Sequence, residues 1–297
     1  MRPEIGEFLR QLGTIRAFSP KTIAAYTFDL SKFSQFLDRE IGEDWKIRGI
    51  DQQTIKVYIQ HLADKGNAPI TRGRKLASLK SLFGYLYAQG KVKSDPTSQI
   101  RMPKRCDKEP NYLSKEEYKK LLKTVKRNAT RYFKKRDMAI VTMLIGTGLR
   151  LTELVELNVG NINFDTSTIK VTRKGNHERL LPVNGEVIIV IRRYLKTRKV
   201  LSSSSPLFLS KRDKRIDTAS VQYLVKKYLR QAHIEKSRLS PHLLRHSFAV
   251  ALLKQGESIF TIKELLSHRS LRTTERYLHI HNDDLKSAVR KIDLRVN

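Results

Sequence analysis

The chain of 297 residues is long enough for one large domain or two ordinary ones, and its 39% hydrophobic content supports a packed core rather than global disorder. It carries 59 Lys and Arg against 29 Asp and Glu, a formal net charge of +30, and a protein this basic repels itself unless it works beside a polyanion. No run of eighteen apolar residues announces a transmembrane helix, the start Met1-Arg2-Pro3-Glu4 lacks the apolar core of a signal peptide, and the single Cys106 excludes an internal disulfide or a Cys-rich zinc site.

Those observations point to a reducing, cytoplasmic setting. Nucleic acid is the usual polyanion, because each neutralised phosphate releases counterions. An anionic membrane is the rival, but no strongly apolar amphipathic face stands out to insert. The charge is uneven: residues 1–100 hold 16 basic and 10 acidic residues, and residues 101–297 hold 43 and 19. The C-terminal part is expected to supply the stronger electrostatic grip.

Residues 1–100 read as several helices. Ser19-Pro20 has the form of an N-cap followed by a first-turn proline, and Ile23, Tyr26, Leu30, Phe33 and Leu37 make one apolar stripe behind it. A second helix is expected over 51–64, with Ile55, Tyr58, Ile59 and Leu62 on one face. A third is expected from about Arg72 to Gln89, ending at Gly90. It sets Arg72, Arg74, Lys75 and Lys80 beside a row of leucines, either as a phosphate-binding face or as a solvated basic one.

Residues 101–112 hold two prolines and six charges without apolar periodicity, a linker composition. Ser114 to Glu117 then reads as a capping box, with Leu113 and Tyr118 placed for a hydrophobic staple, so a new domain is expected over 113–297. Inside it one island alternates like strands: 162–164, then 168–171 after a turn, then 179–183 after a second turn at Lys174-Gly175-Asn176. Helices are expected from Asn184 to about Arg198, from Asp217 or Thr218 to about Gln231, and from Ser240-Pro241 to Gly256. Shorter ones follow near 259–266, 271–279 and 283–292.

Several segments carry candidate chemistry. In Ser240-Pro241-His242-Leu243-Leu244-Arg245-His246, His242 and Arg245 share a face in the first turns of a helix whose N-terminus already favours anions. His242 and His246, four apart, could also share a metal, but no third ligand is evident nearby. In Gly146-Thr147-Gly148-Leu149-Arg150, the glycines break an apolar helix and leave Arg150 at the start of the next one, with Glu153 in reach to orient an arginine. Lys174 lies at a hairpin tip, where a lysine can protonate a leaving oxygen or simply be solvated. Tyr277 lies among Arg272, Arg276 and His279, company that favours a phenolate nucleophile, although an ordinary wet tyrosine is the plain alternative.

Together these segments resemble the tyrosine recombinase (phage integrase) family, most closely its two-domain Xer-type members. TGLRLTEL at 147–154, KGNHERLLPV at 174–183, HLLRH at 242–246, LLSHRS at 265–270 and TTERYLHI at 273–280 stand in the family's order. The resemblance implies that Arg150 and Arg245 clamp the scissile phosphate and that Lys174 is the general acid. It implies that His242 accepts or relays the tyrosine proton, that His268 bonds a phosphate oxygen, that Glu153 supports the site and that Tyr277 is the nucleophile. Ser267 stands where the family usually has Gly, and Arg173, a further candidate DNA contact, stands before Lys174 where Gly is common.

The resemblance also implies a mainly α fold with a small antiparallel β-sheet: a helical, SAM-like core-binding domain over 1–100, a linker over 101–112, and an α+β catalytic domain over 113–297, closing as a C-shaped clamp on DNA. The implied function is site-specific recombination through a 3′-phosphotyrosine and a Holliday junction. The implied partner is double-stranded DNA with a short inverted-repeat core site, bound by a tetramer, with or without a paralogous recombinase or accessory factor. No cofactor, metal or membrane partner is expected. A type IB topoisomerase-like enzyme and a DNA-binding protein that no longer cuts are the alternatives. The last helix, with Leu285, Val289 and Ile292 on one side, is expected to dock on a neighbouring protomer or pack on its own domain.

Overall fold

In a computed structural model, the structure describes residues 2–15, 17–102, 111–172, 178–200, 202–267 and 270–275. The chain divides into two compact units, Met1–Lys108 and Glu109–Asn297.

The first unit is helical: α1 (Pro3–Thr14), α2 (Pro20–Ile41), α3 (Gln52–Asp64) and α4 (Pro69–Ala88). Ser19 caps α2 by accepting from the Thr22 N–H at 3.2 Å, and Asp51 caps α3 by accepting from Thr54 N–H at 2.8 Å. The stripe of α2 turns inward, with Leu30, Phe33 and Leu37 buried. Phe33 and Phe36 meet Tyr58 of α3 at ring separations of 4.9 and 5.0 Å. Two local features differ from the pattern reading. Helix α4 starts three residues early, because Pro69 supplies a ready-made first helical residue. Helix α1, too short and glycine-interrupted to stand out, buries Ile5, Phe8 and Leu12 completely.

The basic face of α4 divides. Asp29 of α2 is buried, and an ionised carboxylate in an apolar interior requires partners. Ser78 donates to it at 3.1 Å, Lys75 at 3.5 Å, and the Arg74 guanidinium closes on the same group. Lys75 is therefore a core residue, with only Arg74 reaching Asp29 from the surface. Lys80 and Arg72 are half-buried, and the Arg72 Nε has no hydrogen-bond partner among the described residues.

The second unit comprises α5 (Lys115–Asn128), α6 (Lys134–Thr147), α7 (Leu151–Glu156), β1 (Ile162–Asn163), β2 (Thr168–Thr172), β3 (Glu178–Pro182), α8 (Gly185–Leu195), α9 (Thr218–Gln231), α10 (Pro241–Lys254), α11 (Ile259–Leu266) and α12 (Arg272–Glu275). The capping box of α5 forms both ways: Ser114 accepts from Glu117 N–H at 3.2 Å, and Glu117 accepts from Ser114 N–H at 2.7 Å. Just before it, Leu113 donates its N–H to the Ser247 hydroxyl at 2.7 Å and Tyr112 packs beside α10, so the end of the charged 101–112 stretch is anchored in this unit. Residues 103–110 of that stretch lie outside the described residues.

The strands form one antiparallel sheet in the order β1-β2-β3, with Ile162 opposite Ile169 and Val171 opposite Arg179. Helix α6 is buried at the centre of the unit with Ile140, Val141, Met143 and Leu144 fully enclosed, as its unbroken apolar run requires. Helix α8 stops at Leu195, short of Arg198, where Thr197 and Arg198 tighten into turns by bonding back three residues. Ser240 precedes α10 in extended backbone but its side chain makes no cap; Leu243 N–H bonds the Ser240 carbonyl at 2.9 Å instead. The expected helix near 283–292 lies outside the described residues. No helix among the described residues is long and apolar enough to cross a membrane.

Candidate active site

Arg150 is placed by a helix break. Helix α6 ends at Gly148, whose φ of +61° is the left-handed geometry that glycine tolerates. A Cβ there would come within 2.5 Å of Phe248 and 2.9 Å of Leu266, so the position is closed to a side chain on two counts. Two residues later Arg150 is the N-cap of α7. Glu153, in that helix's first turn, accepts from the Arg150 backbone N–H at 2.8 Å and from its guanidinium at 2.7 Å. Burial alone would push the Glu153 carboxyl up. The two hydrogen bonds from Arg150 and the charges of Arg150 and Arg245 outweigh it and hold the carboxyl below its ordinary value.

Arg245, on α10, is buried at 5% exposure. It donates to the Gly148 carbonyl and to the Leu266 carbonyl, both at 2.5 Å. Arg150 donates its other terminal nitrogen to the next carbonyl, Ser267, at 2.9 Å. The two guanidiniums are thus held on consecutive carbonyls at the C-terminal, partly negative end of α11. Each terminal nitrogen of Arg150 carries two hydrogens, so its two contacts leave donors for an anion.

A third arginine completes this arrangement. Arg179 of β3 donates to Glu264 and Leu265 carbonyls, each at 2.9 Å. Four successive carbonyls, 264 to 267, are each bonded by an arginine from α7, α10 or β3. The sequence reading did not single out Arg179. The available signal was its register: it shares a sheet face with the buried Leu181, an inward position where an arginine must find acceptors.

Ser267 takes the left-handed conformation, φ 54° and ψ 53°, at the C-cap of α11. That explains why the family usually has Gly there. The side chain adds strain but still fits, its hydroxyl lying 3.4 Å from the Glu264 carbonyl.

His242 opens α10 one turn before Arg245 and remains exposed. Desolvation by the surrounding protein, followed by the charges of Arg245, Arg238 and Arg150, lowers its pKa below the ordinary imidazole value. The neutral ring, able to accept a proton, is therefore favoured near pH 7. The structure brings Arg150, Glu153, His242 and Arg245 to one place. Arg173, Lys174, His268 and Tyr277 lie outside the described residues. Among the candidate contacts of the first unit, Arg74 and Lys75 are engaged by Asp29, as described above.

Comparison with known proteins places the chain in a family. The Phage integrase family profile matches residues 111–283, and that of the phage integrase N-terminal SAM-like domain matches residues 5–90. A "Tyrosine recombinase XerC" of Caldanaerobacter subterraneus subsp. tengcongensis is 38% identical over 97% of this chain and 86% of its own length. Among solved structures, that of XerA recombinase is 26% identical, covers 99% of both chains and has a TM-score of 0.53. XerH bound to palindromic difH substrate is 20% identical with a TM-score of 0.77, covering 97% of this chain and 84% of that one, a likeness of fold alone. A family profile spanning more than half of the chain, together with a nearly full-length relative of this identity, establishes that the chain belongs to the phage integrase family and is a tyrosine-type site-specific recombinase.

Proposed function

We propose that this recombinase binds double-stranded DNA at a short core site with inverted repeats and exchanges strands through a covalent bond from Tyr277 to a 3′-phosphate. The observation that carries the reading is the pair of arginines fixed on the neighbouring carbonyls of Leu266 and Ser267.

Attack on a phosphodiester builds negative charge on the non-bridging oxygens, and fixed donors aimed at that charge are the main catalytic lever. Arg150 and Arg245 supply it as permanently charged, planar donors, with His268 adding a bond to phosphate. The Tyr277 hydroxyl attacks phosphorus and gives its proton to neutral His242. The bond from phosphorus to the 5′-oxygen breaks, and Lys174 protonates that oxygen. The phosphotyrosine conserves the bond energy, so a 5′-hydroxyl from a partner strand can attack it and release the tyrosine. Two such rounds pass through a Holliday junction.

In this reading residues 1–100 and 113–297 both contact DNA, four protomers act on two sites, and the protein works in the cytoplasm. Exposed Arg and Lys side chains supply sequence-independent attraction, including the outer face of α5 with Lys119, Lys120, Lys123 and Lys126.

The test is covalent capture. Sequencing the DNA bound to denatured protein from cells yields the core site. The Tyr277→Phe variant is expected to bind that duplex and form no adduct, and adducts persisting in the variant would sink the assignment.

A further inference from the structure

The three arginines that meet at the end of α11 do not have equal standing. Two are assigned to the phosphate, and the third, Arg179, has no role in the chemistry described above. It sits near the start of β3, opposite Val171 of β2, and its side chain leaves the sheet for another element altogether. An inward strand position ordinarily holds an apolar residue, as Leu181 does two residues on. A guanidinium there is stable only with acceptors, and the acceptors it takes are the carbonyls immediately preceding those that hold Arg245 and Arg150.

We infer that Arg179 is a positioning residue for strand cleavage. By fixing the Glu264 and Leu265 carbonyls, it sets the final turn of α11, and that turn presents Leu266 and Ser267 to Arg245 and Arg150. The last turn of a helix leaves carbonyls without intrahelical donors; Ser267 N–H bonds the Glu264 carbonyl at 2.9 Å, and Arg179 adds a second donor there and one to the Leu265 carbonyl. At this site a shift of that turn moves both guanidiniums together. The same contact ties β3 to the carbonyls that hold the arginine pair. The inference rests on the proposed roles of Arg150 and Arg245.

The test uses the full chain and a core-site duplex selected from a randomised library by adduct formation with the unaltered protein. Arg179→Met keeps the aliphatic stem and removes every donor, and Arg179→Lys keeps the charge but reaches one carbonyl at a time. Adduct formation is timed with DNA saturated by protein, and duplex affinity is measured separately. Arg179→Met is expected to form adducts about 10- to 100-fold more slowly, the scale of a small misplacement of catalytic groups. Its duplex affinity should stay within about threefold, since Arg179 bonds protein carbonyls and most of the basic contacts to DNA are left in place. Arg179→Lys should recover part of the rate.

The readout that a merely structural role would not move is coupling. In an Arg150→Lys background, Arg179→Met should slow the reaction by much less than it does alone, because the group it positions is already impaired. Full multiplication of the two effects, or an unchanged rate in Arg179→Met, overturns the inference. Failure of Arg150→Ala and Arg245→Ala to slow adduct formation would overturn the underlying assignment instead, so the two failures are distinguishable.

Discussion

Arg150 donates to Glu153 twice, through its backbone N–H at 2.8 Å and through its guanidinium at 2.7 Å. One carboxylate thereby caps the helix that Arg150 begins and fixes the direction of the Arg150 side chain. Local folding and the proposed catalytic geometry depend on the same group.

Glu153→Gln is accordingly expected to lower both. Loss of the charged cap should cost about 1 kcal/mol, measured by urea unfolding. The folded-state pKa of Glu153 is depressed, so its stabilisation is fully present above the ordinary carboxylate range and is lost as pH falls through the depressed value. The stability gap between wild type and variant should therefore close on acidification. A gap independent of pH would show that the charge of Glu153 contributes nothing.

In the proposed mechanism His242 takes the tyrosine proton, so it should set the acid limb of the rate profile. With its pKa lowered, adduct formation should stay level as pH drops from neutrality and decline only below the ordinary histidine range. Arg238→Ala removes one of the charges that depress the value and should move the limb to higher pH. A limb that does not respond to Arg238 would assign the titration to another group.

Gly148→Ala places a methyl group within 2.5 Å of Phe248 at a residue with φ +61°. Left-handed strain and overpacking together should cost about 2–4 kcal/mol, read from denaturation midpoints. Because the Gly148 carbonyl also holds Arg245, the folded fraction should form adducts slowly as well.

Ser267→Gly is expected to act in the opposite direction. Relief of the left-handed serine, offset by the extra freedom of glycine in the unfolded chain, should raise stability by about 0.5–1 kcal/mol. An unchanged or lowered midpoint would mean that the Ser267 hydroxyl contributes more than its conformation costs.

Lys75 should behave as a core residue. Lys75→Met is expected to leave the salt dependence of duplex binding unchanged, whereas a true phosphate contact would lower the slope by about one. Asp29→Ala, which strips Lys75 of its buried partner, should destabilise the first unit by about 3 kcal/mol in thermal or chemical unfolding.

Much of the fold was legible because its signals are local. Caps at Ser19, Ser114, Asn184 and Asp217 each lie within three residues of the group they bond, so position along the chain is enough to find them. The strand island was legible for the same reason, through alternation over five residues. The chemistry was legible as an order of motifs, since residue types and spacings survive without coordinates.

Charge, by contrast, misleads when read along one helix. Arg74, Lys75 and Lys80 look alike in sequence, and only the arrival of Asp29 from 46 residues away turns Lys75 inward. Arg179 looked like one base among 59 until its acceptors arrived from 85 and 86 residues further on.

The sequence alone thus determined the caps at Ser19, Ser114, Asn184 and Asp217 and the places of the strands, but not the cap at Ser240. Only the tertiary structure decided that Arg150, Arg179 and Arg245 would converge on four consecutive carbonyls of α11. The reason is physical: a cap is satisfied by its own chain neighbours, whereas a guanidinium's five donors are satisfied by whatever backbone the fold carries to them.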